Sequence, residues 1–508
     1  MTPPDTGAPP TEPGAKAPPA DAGLPAAVAT PGEGFEDRRA LFAIASSSLL
    51  SGQKVAESKQ GPWLVRATGG AGGRSGASAV VDADGDYGGV GLEGTGRGGG
   101  GMRMAEGETL SAAPRRKSVR AFGSAAMEPP SAPPPPSFAP GAPGASVPPS
   151  SANPLRAGST DDNADFDAFL KFLATWTGKA DLAQSYDPLD VTGRRWLKVV
   201  DAAGKPVPAA LVQVVDLEQD KLLWAGTTYG DGRLPYYPRV AATRLGGAQP
   251  SAKLAVQAAQ GEGRVRVEWD GAADLVLALP AERASGRLAL DVVFAIDTTG
   301  SMGDEIQRVK ETLAAVTRKL VGLDQEFDLR YGAVLFRDLG DEYVTSAHPF
   351  TSDLAAFGAA LQQVRAAGGG DGPESVNQAL AEVTRLDWRD GAAKVVFLIG
   401  DAPPHLDYLG DVRYGQSALA AMAQGIRIHA VAASGLDPLG TLVFRQVAQF
   451  TRGKFIFIEY GSTAASAESH GVTGSVSSNN LDDIIFAQIR DEIAHWGRAA
   501  PPAQVSEK

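Results

Sequence analysis

The chain has 508 residues, no cysteine and a net charge of −12 from 59 acidic against 47 basic side chains. This excludes a disulfide framework, a thiolate metal site and a cysteine nucleophile, and it leaves no basic field to hold nucleic acid or an anionic membrane. Glycine and proline together make up about 31% of residues 1–160 and about 14% of the rest, so only the later part is expected to bury a core.

Residues 1–160 are therefore expected to be a disordered, Gly/Pro-rich arm. The arm is Pro/Ala-rich to about Gly34 and Gly-rich from Gly69 to Gly101, and neither stretch can offset ordering entropy by apolar burial. Asp82, Asp84, Asp86 and Glu93 match positions 1, 3, 5 and 12 of a calcium loop, but Tyr87 stands where that loop needs Gly. Arg115-Arg116-Lys117 and Arg120 form a basic patch ahead of Pro133-Pro134-Pro135-Pro136, a run that reads as an extended spacer. No clear signal peptide is present: Arg38-Arg39 and the Ser-diluted apolar stretch 40–50 come too late. No apolar run approaches the roughly 18 residues that a membrane span needs.

Residues 161–189 are expected to hold an amphipathic helix and a linker. Phe166, Phe169, Leu170, Phe172, Leu173 and Trp176 recur at three- and four-residue spacing. From 190 to 283, short alternating or β-branched runs near 196–200, 210–215, 222–228, 265–269 and 275–279 are separated by turns such as Gly204-Lys205-Pro206 and Gly230-Asp231-Gly232-Arg233. Strands at that spacing predict a small β-sandwich. The run Val199 to Pro208 leading to Thr227 to Gly232 resembles the carboxypeptidase regulatory-like, prealbumin-like domain, a resemblance that implies a spacer or binding support without catalytic residues.

The period changes at Leu288. Leu288 to Ile296 is almost continuously apolar, as in a strand buried on both faces of a parallel sheet. Helical spacing follows through Ile306, Val309, Leu313, Val316 and Leu320, and further strands read at 329–336, 394–399, 426–432 and 455–458. The alternation predicts a doubly wound, Rossmann-like α/β domain over 284–462. Ligands of such sheets bind beyond the carboxyl ends of the strands, which is where Asp297, Thr299, Ser301 and Asp401 fall. The loop Gly368-Gly369-Gly370-Asp371-Gly372-Pro373-Glu374 lets backbone approach a bound group closely. These are hard oxygen donors, the kind that suit Mg²⁺.

The strand ending in Asp297-Thr298-Thr299-Gly300-Ser301-Met302, the Gly368-Gly369-Gly370-Asp371 loop and the strand ending in Asp401-Ala402-Pro403-Pro404-His405 together resemble a von Willebrand factor type A (VWA) domain. The resemblance implies a metal-ion-dependent adhesion site. Thr299 and Ser301 would supply hydroxyls, and Asp297, Asp371 and Asp401 carboxylates. Mg²⁺ is the expected ion, with Mn²⁺ or Ca²⁺ as alternatives. Gly300, Gly370, Glu374 and His405 would form the partner-binding rim. Asp371 stands where the family usually has Thr. Near the ion it disfavours an acidic partner group by charge; its alternatives are a solvent-facing side chain or a cap on the helix near Glu374.

An enzyme is not expected. Thr299 occupies the position of the second Asp of aspartyl-phosphate phosphatases, the five histidines form no close pair, and no Walker-type loop occurs. Residues 463–479 read as a flexible loop, 480–497 as a helix packing on the α/β domain, and 498–508 as a tail. The expected function is divalent-metal-dependent protein binding through an adhesion or scaffold module with an unknown partner. The first alternative is a structural cell-envelope protein whose ion only stabilises the fold, and the second is a metal-dependent hydrolase. The resemblance leans towards the cell envelope or the outside of the cell over the cytoplasm.

Overall fold

The computed structural model describes residues 154–176, 189–243, 245–280, 288–321, 327–370, 372–494 and 496. The expected arm up to 153 lies outside the described residues, with its calcium-like loop, basic patch and proline run. So do the linker 177–188, Asp371 and the tail from 497.

The first element corrects an expected boundary. β1 (Arg156–Thr160) falls in the stretch that composition assigned to the arm, yet all but its first residue are buried and it pairs antiparallel with two late strands. Its glycine is a packing residue: a Cβ at Gly158 would collide with the Phe457 ring. Next comes α1 (Phe166–Ala174), which buries Phe169 and packs Phe166, Leu170, Phe172 and Leu173 around it, as the helical spacing requires.

Strands β2 (Arg195–Val200), β3 (Leu211–Asp216), β4 (Lys221–Thr227) and β5 (Arg233–Tyr236), helix α2 (Pro238–Thr243), and strands β6 (Leu254–Gln260), β7 (Gly263–Trp269) and β8 (Leu275–Ala278) follow. They form two small sheets, ordered β5-β2-β8 and β4-β3-β6-β7. Leu197, Val199, Val212, Val214, Val256 and Leu277 from both sheets share one core. Trp224 lies in it, edge-on to Tyr236 and Tyr237 at 5.7 and 5.9 Å, with its indole N–H donated to the Pro235 carbonyl at 2.9 Å. That last bond lets an indole be fully buried without an unmet donor.

The main domain comprises β9 (Leu288–Asp297), a 3₁₀ turn (Gly300–Asp304), α3 (Ile306–Val321), β10 (Phe327–Phe336), β11 (Thr345–Thr351), α4 (Leu354–Gln363) and α5 (Val376–Arg385). It continues with β12 (Ala393–Gly400), α6 (Tyr414–Ala423), β13 (Ile426–Ala432), α7 (Pro438–Phe450), β14 (Phe455–Ile458), α8 (Thr463–Ser469), β15 (Ser477–Asn480) and α9 (Leu481–Ile493). The sheet order is β11-β10-β9-β12-β13-β14-β1-β15, with β10, β9, β12, β13 and β14 parallel. In β9, Val292, Phe294 and Ile296 face a core shared with α3, α4 and α9, while Val293 and Ala295 face α5 to α8. Two covered faces account for the unbroken apolar run.

Residues 463–479 are corrected from loop to structure. They carry α8, capped by the Ser462 side chain accepting from the Ala465 N–H, and the start of β15, which pairs with β1. Small polar residues hid both elements, because neither shows apolar periodicity.

The small sheets share their core with the α/β domain: Ala418, Leu419 and Met422 of α6 and Phe450 of α7 belong to it. Charged groups line this seam. Arg452 makes a two-pronged pair with Asp231 at 2.6 and 2.8 Å, and Arg427 pairs with Glu492 at 2.7 Å. The other oxygen of Glu492 accepts from the Gly230 N–H at 2.8 Å. Burial raises the Asp231 pKa, but the Arg452 guanidinium outweighs that and holds the carboxyl well below its usual range.

Candidate functional site

The chain crosses from one face of the sheet to the other between β9 and β12. β9 is followed by β10 on one side, and β12 by β13 on the other. Strand ends diverge at such a switch and leave a crevice. Asp297 is the last residue of β9, in register with Phe336 of β10, and Asp401 directly follows β12. Both carboxylates reach this crevice because parallel strands end on a common edge.

From Asp297 a chain of polar contacts runs outward. Its Oδ1 accepts from the Thr299 N–H at 2.9 Å and the Thr299 hydroxyl at 2.6 Å. Thr299 Oγ1 lies 3.1 Å from Ser301 Oγ, and Ser301 Oγ donates to Asp401 Oδ1 at 3.0 Å. Two hydroxyls bring two hydrogens to three contacts. With both acids ionised, each hydroxyl gives its hydrogen to its own carboxylate, and the two oxygens meet lone pair to lone pair. The arrangement is complete only with one more proton or with a cation.

The other oxygen of Asp297, Oδ2, is buried without a hydrogen-bond partner. Burial pushes the Asp297 pKa up to about 7, Thr299 countering only in part, and Asp401 is raised as well, by burial and by Glu305. A buried orphan oxygen, two converging hydroxyls and acids held reluctant to ionise fit a hard divalent cation such as Mg²⁺. Among the described residues no three His, Cys, Asp or Glu side chains group as a cation site by themselves. The donor set here is half hydroxyl.

Glycines make room for these groups. Gly368 and Gly369 have φ of +79° and +73°, and a Cβ at Gly369 would lie 2.9 Å from Glu374 Oε1 and 3.3 Å from the Thr299 Cβ. The Gly368 carbonyl accepts from the Gly300 N–H at 3.0 Å, and the Gly369 N–H is donated to Asp341 at 2.8 Å. At Gly400 a Cβ would stand 3.2 Å from the Asp297 Cβ and from Oδ2. Gly400→Ala is therefore expected to cost about 1–3 kcal/mol by overpacking and to displace the Asp297 carboxylate. Denaturant melts with and without Mg²⁺ check this; a variant as stable and as Mg²⁺-responsive as the parent refutes it.

Four of the five expected ligands, Asp297, Thr299, Ser301 and Asp401, come together, while Asp371 lies outside the described residues. Of the expected rim, Gly300 and Gly370 are exposed. Glu374 and His405 are not: their exposures are 3% and 5%. Glu374 lies under the crevice, clipped by its N–H to the Pro403 carbonyl at 2.9 Å and by its carbonyl to the His405 N–H at 3.1 Å. Burial, and then Asp297 and Asp338, push its pKa up to about 8. His405 stacks on Tyr408 at 3.8 Å and turns its ring nitrogens to Asp407 at 2.9 Å and Asp338 at 3.5 Å.

Sequence reasoning missed Asp338 and Asp341. Asp338 accepts from the Tyr408 hydroxyl at 2.8 and 3.1 Å and from Ser375 at 3.0 Å, which ties the loop after β10 to those after the glycines and β12. The available signal was position: both acids closely follow the end of a strand adjacent to β9. Glu305 was missed too; it accepts from the Tyr460 hydroxyl and from the Ser434 N–H.

Residues 291–411 match the family model for the von Willebrand factor A domain. Two curated relatives are similar over part of the chain. The alpha-protein kinase vwkA of Dictyostelium discoideum is 29% identical over 133 residues, 26% of this chain and 21% of the kinase. A putative ariadne-like RING finger protein, R811, of Acanthamoeba polyphaga mimivirus is 26% identical over 121 residues, 23% of this chain and 11% of that protein. The chain thus spans about a fifth and a tenth of the lengths of these relatives. Among solved structures, the conserved hypothetical protein BatB of Bacteroides thetaiotaomicron aligns at 16% identity and a TM-score of 0.27, covering 36% of this chain and 97% of that one. A von Willebrand factor type A protein of Catenulispora acidiphila aligns at 17% identity and a TM-score of 0.26, covering 43% and 44%. Among the described residues no helix is long and apolar enough to cross a membrane.

Proposed function

With a von Willebrand factor A domain over residues 291–411 as premise, we propose that the chain is a binding module that engages a protein partner through a divalent cation. Asp297, Thr299, Ser301 and Asp401 hold the ion, with Mg²⁺ as the first choice. The observation that carries this reading is the run of contacts from Asp297 through two hydroxyls 3.1 Å apart to Asp401, which is one hydrogen short when both acids are ionised. A cation there receives four oxygens already converging. It would supply an open coordination position at the rim, while the surrounding loops, tied through Asp338, hold their shape.

Affinity capture by the full chain, compared in Mg²⁺, in chelator and with Asp401→Asn, tests the proposal. A discrete partner retained only by the parent in Mg²⁺ is the expected result. Retention that ignores both chelator and substitution refutes it. A second reading has its own support: Asp297 and Glu374 are both buried, and the charge of Asp297 raises the Glu374 pKa, so an ion would also relieve that repulsion and stabilise the fold. If Asp401→Asn lowers the melting temperature in Mg²⁺ but leaves capture unchanged, the ion is structural only.

A further inference from the structure

Thr298, between Asp297 and Thr299 in the chain, is wholly buried, and its carbonyl accepts twice: from the Ala367 N–H at 3.0 Å and from Arg337 Nε at 3.3 Å. The same guanidinium donates to the Arg365 carbonyl at 3.1 Å and to Glu342 at 3.1 Å, and it lies 4.4 Å over the Tyr343 ring. Tyr343 in turn places its hydroxyl 2.8 Å from Thr298 Oγ1. Arg337 is only 6% exposed, and its own carbonyl accepts from the Ser375 N–H at 3.0 Å. One buried side chain thus joins the turn after β9 to the loop that carries the glycines.

We infer that Arg337 is a positioning residue of the cation site: its guanidinium braces the Thr298 carbonyl against the glycine loop, and so sets the turn on which Asp297, Thr299 and Ser301 converge. The inference rests on the cation reading above. The other ties between turn and loop are backbone bonds, Ala367 N–H to the Thr298 carbonyl and Gly300 N–H to the Gly368 carbonyl, and residues 367–370 are all exposed. Bonds made by exposed backbone open readily, whereas a buried fork holds its spacing. Charge alone does not account for the placement. The paired carboxylate, Glu342, has a side chain 78% exposed, where an ion pair contributes little, and the two carbonyls are neutral. A planar fork serves both carbonyls at once, which a point-like ammonium does not reproduce.

Mn²⁺ binding to the full chain, read from the loss of the free-ion electron paramagnetic resonance signal, tests this. Removing a group that orients metal ligands weakens metal binding by about 10- to 100-fold, and a rise of that size in the Mn²⁺ dissociation constant is expected for Arg337→Gln. Arg337→Lys, which keeps the charge without the fork, is expected to lose a similar amount, and it carries the test if Arg337→Gln does not fold. Arg452→Ala shows what lost stability alone does, and it should keep the parent's affinity. Parent-like affinity in either Arg337 variant, or an equal loss in Arg452→Ala, overturns this inference and leaves the cation reading standing. Failure of the parent to bind Mn²⁺ overturns both.

Discussion

Asp297→Asn is expected to make the metal-free protein more stable at pH 8 while abolishing its response to Mg²⁺. The two effects share a cause. Burial holds the Asp297 carboxyl protonated up to about pH 7 in the folded state, against the usual 3.8 for an aspartate. A raised folded-state pKa means that the folded chain binds more protons than the unfolded one. The stability linked to that proton is present below the ordinary carboxylate range and lost as pH rises through about 7. The loss is of the order of 4 kcal/mol. Asn keeps an acceptor for Thr299 without a charge to bury, so the variant escapes this loss. Urea melts in chelator at pH 5 and pH 8 should show the gap between variant and parent opening with pH. Mg²⁺ should then stabilise only the parent, by about 2.7 kcal/mol at a hundredfold excess over its dissociation constant. Equal pH slopes, or equal stabilisation by Mg²⁺, would refute the account.

Arg452→Ala is expected to cost about 2–3 kcal/mol, less than breaking a fully buried pair, because it leaves the partly buried Asp231 carboxylate at the seam without its partner. The guanidinium also lies over Trp196 and Tyr229, at 4.9 and 5.3 Å. Arg452 follows the end of α7 with φ at +64°, a place usually taken by Gly. Alanine keeps that backbone cost, so the Ala variant reports the lost side chain rather than relieved strain. Asp231 titrates below the ordinary range, so its contribution is present above that range and fades as pH falls through its lowered folded-state pKa. The difference between parent and variant should therefore narrow in acid. Denaturant melts followed by tryptophan fluorescence provide the check, since Trp196 and Trp224 both report on the small sheets. A change under 1 kcal/mol, or a gap that widens in acid, contradicts the assignment.

The α/β alternation was legible because a strand covered on both faces has to be apolar throughout, as β9 and β12 are. The crevice residues were legible because they sit at strand ends and because their three motifs resemble those of a von Willebrand factor type A domain. Three things were not. β1 is short and built of small residues, and its burial comes from strands made 300 residues later. Glu374 reads as a rim acid until the fold clips its backbone beneath the loop after β12. Asp338 and Asp341 carry no motif; they matter only because β10 lies beside β9. In each case the missing information is a long-range contact, which local periodicity does not encode.

The position of β1 has a consequence for synthesis. Thr160 pairs with Phe455, so the strand leaves the ribosome long before its partner exists. At about 5–20 residues per second the wait is roughly 15–60 s, with the second neighbour, β15, arriving later still. An apolar strand left unpaired that long would recruit other chains. Arg-Ala-Gly-Ser-Thr offers them little to bind, and the aromatic side chains that cover it belong to β14, which is made when the rest of the sheet is ready to receive them.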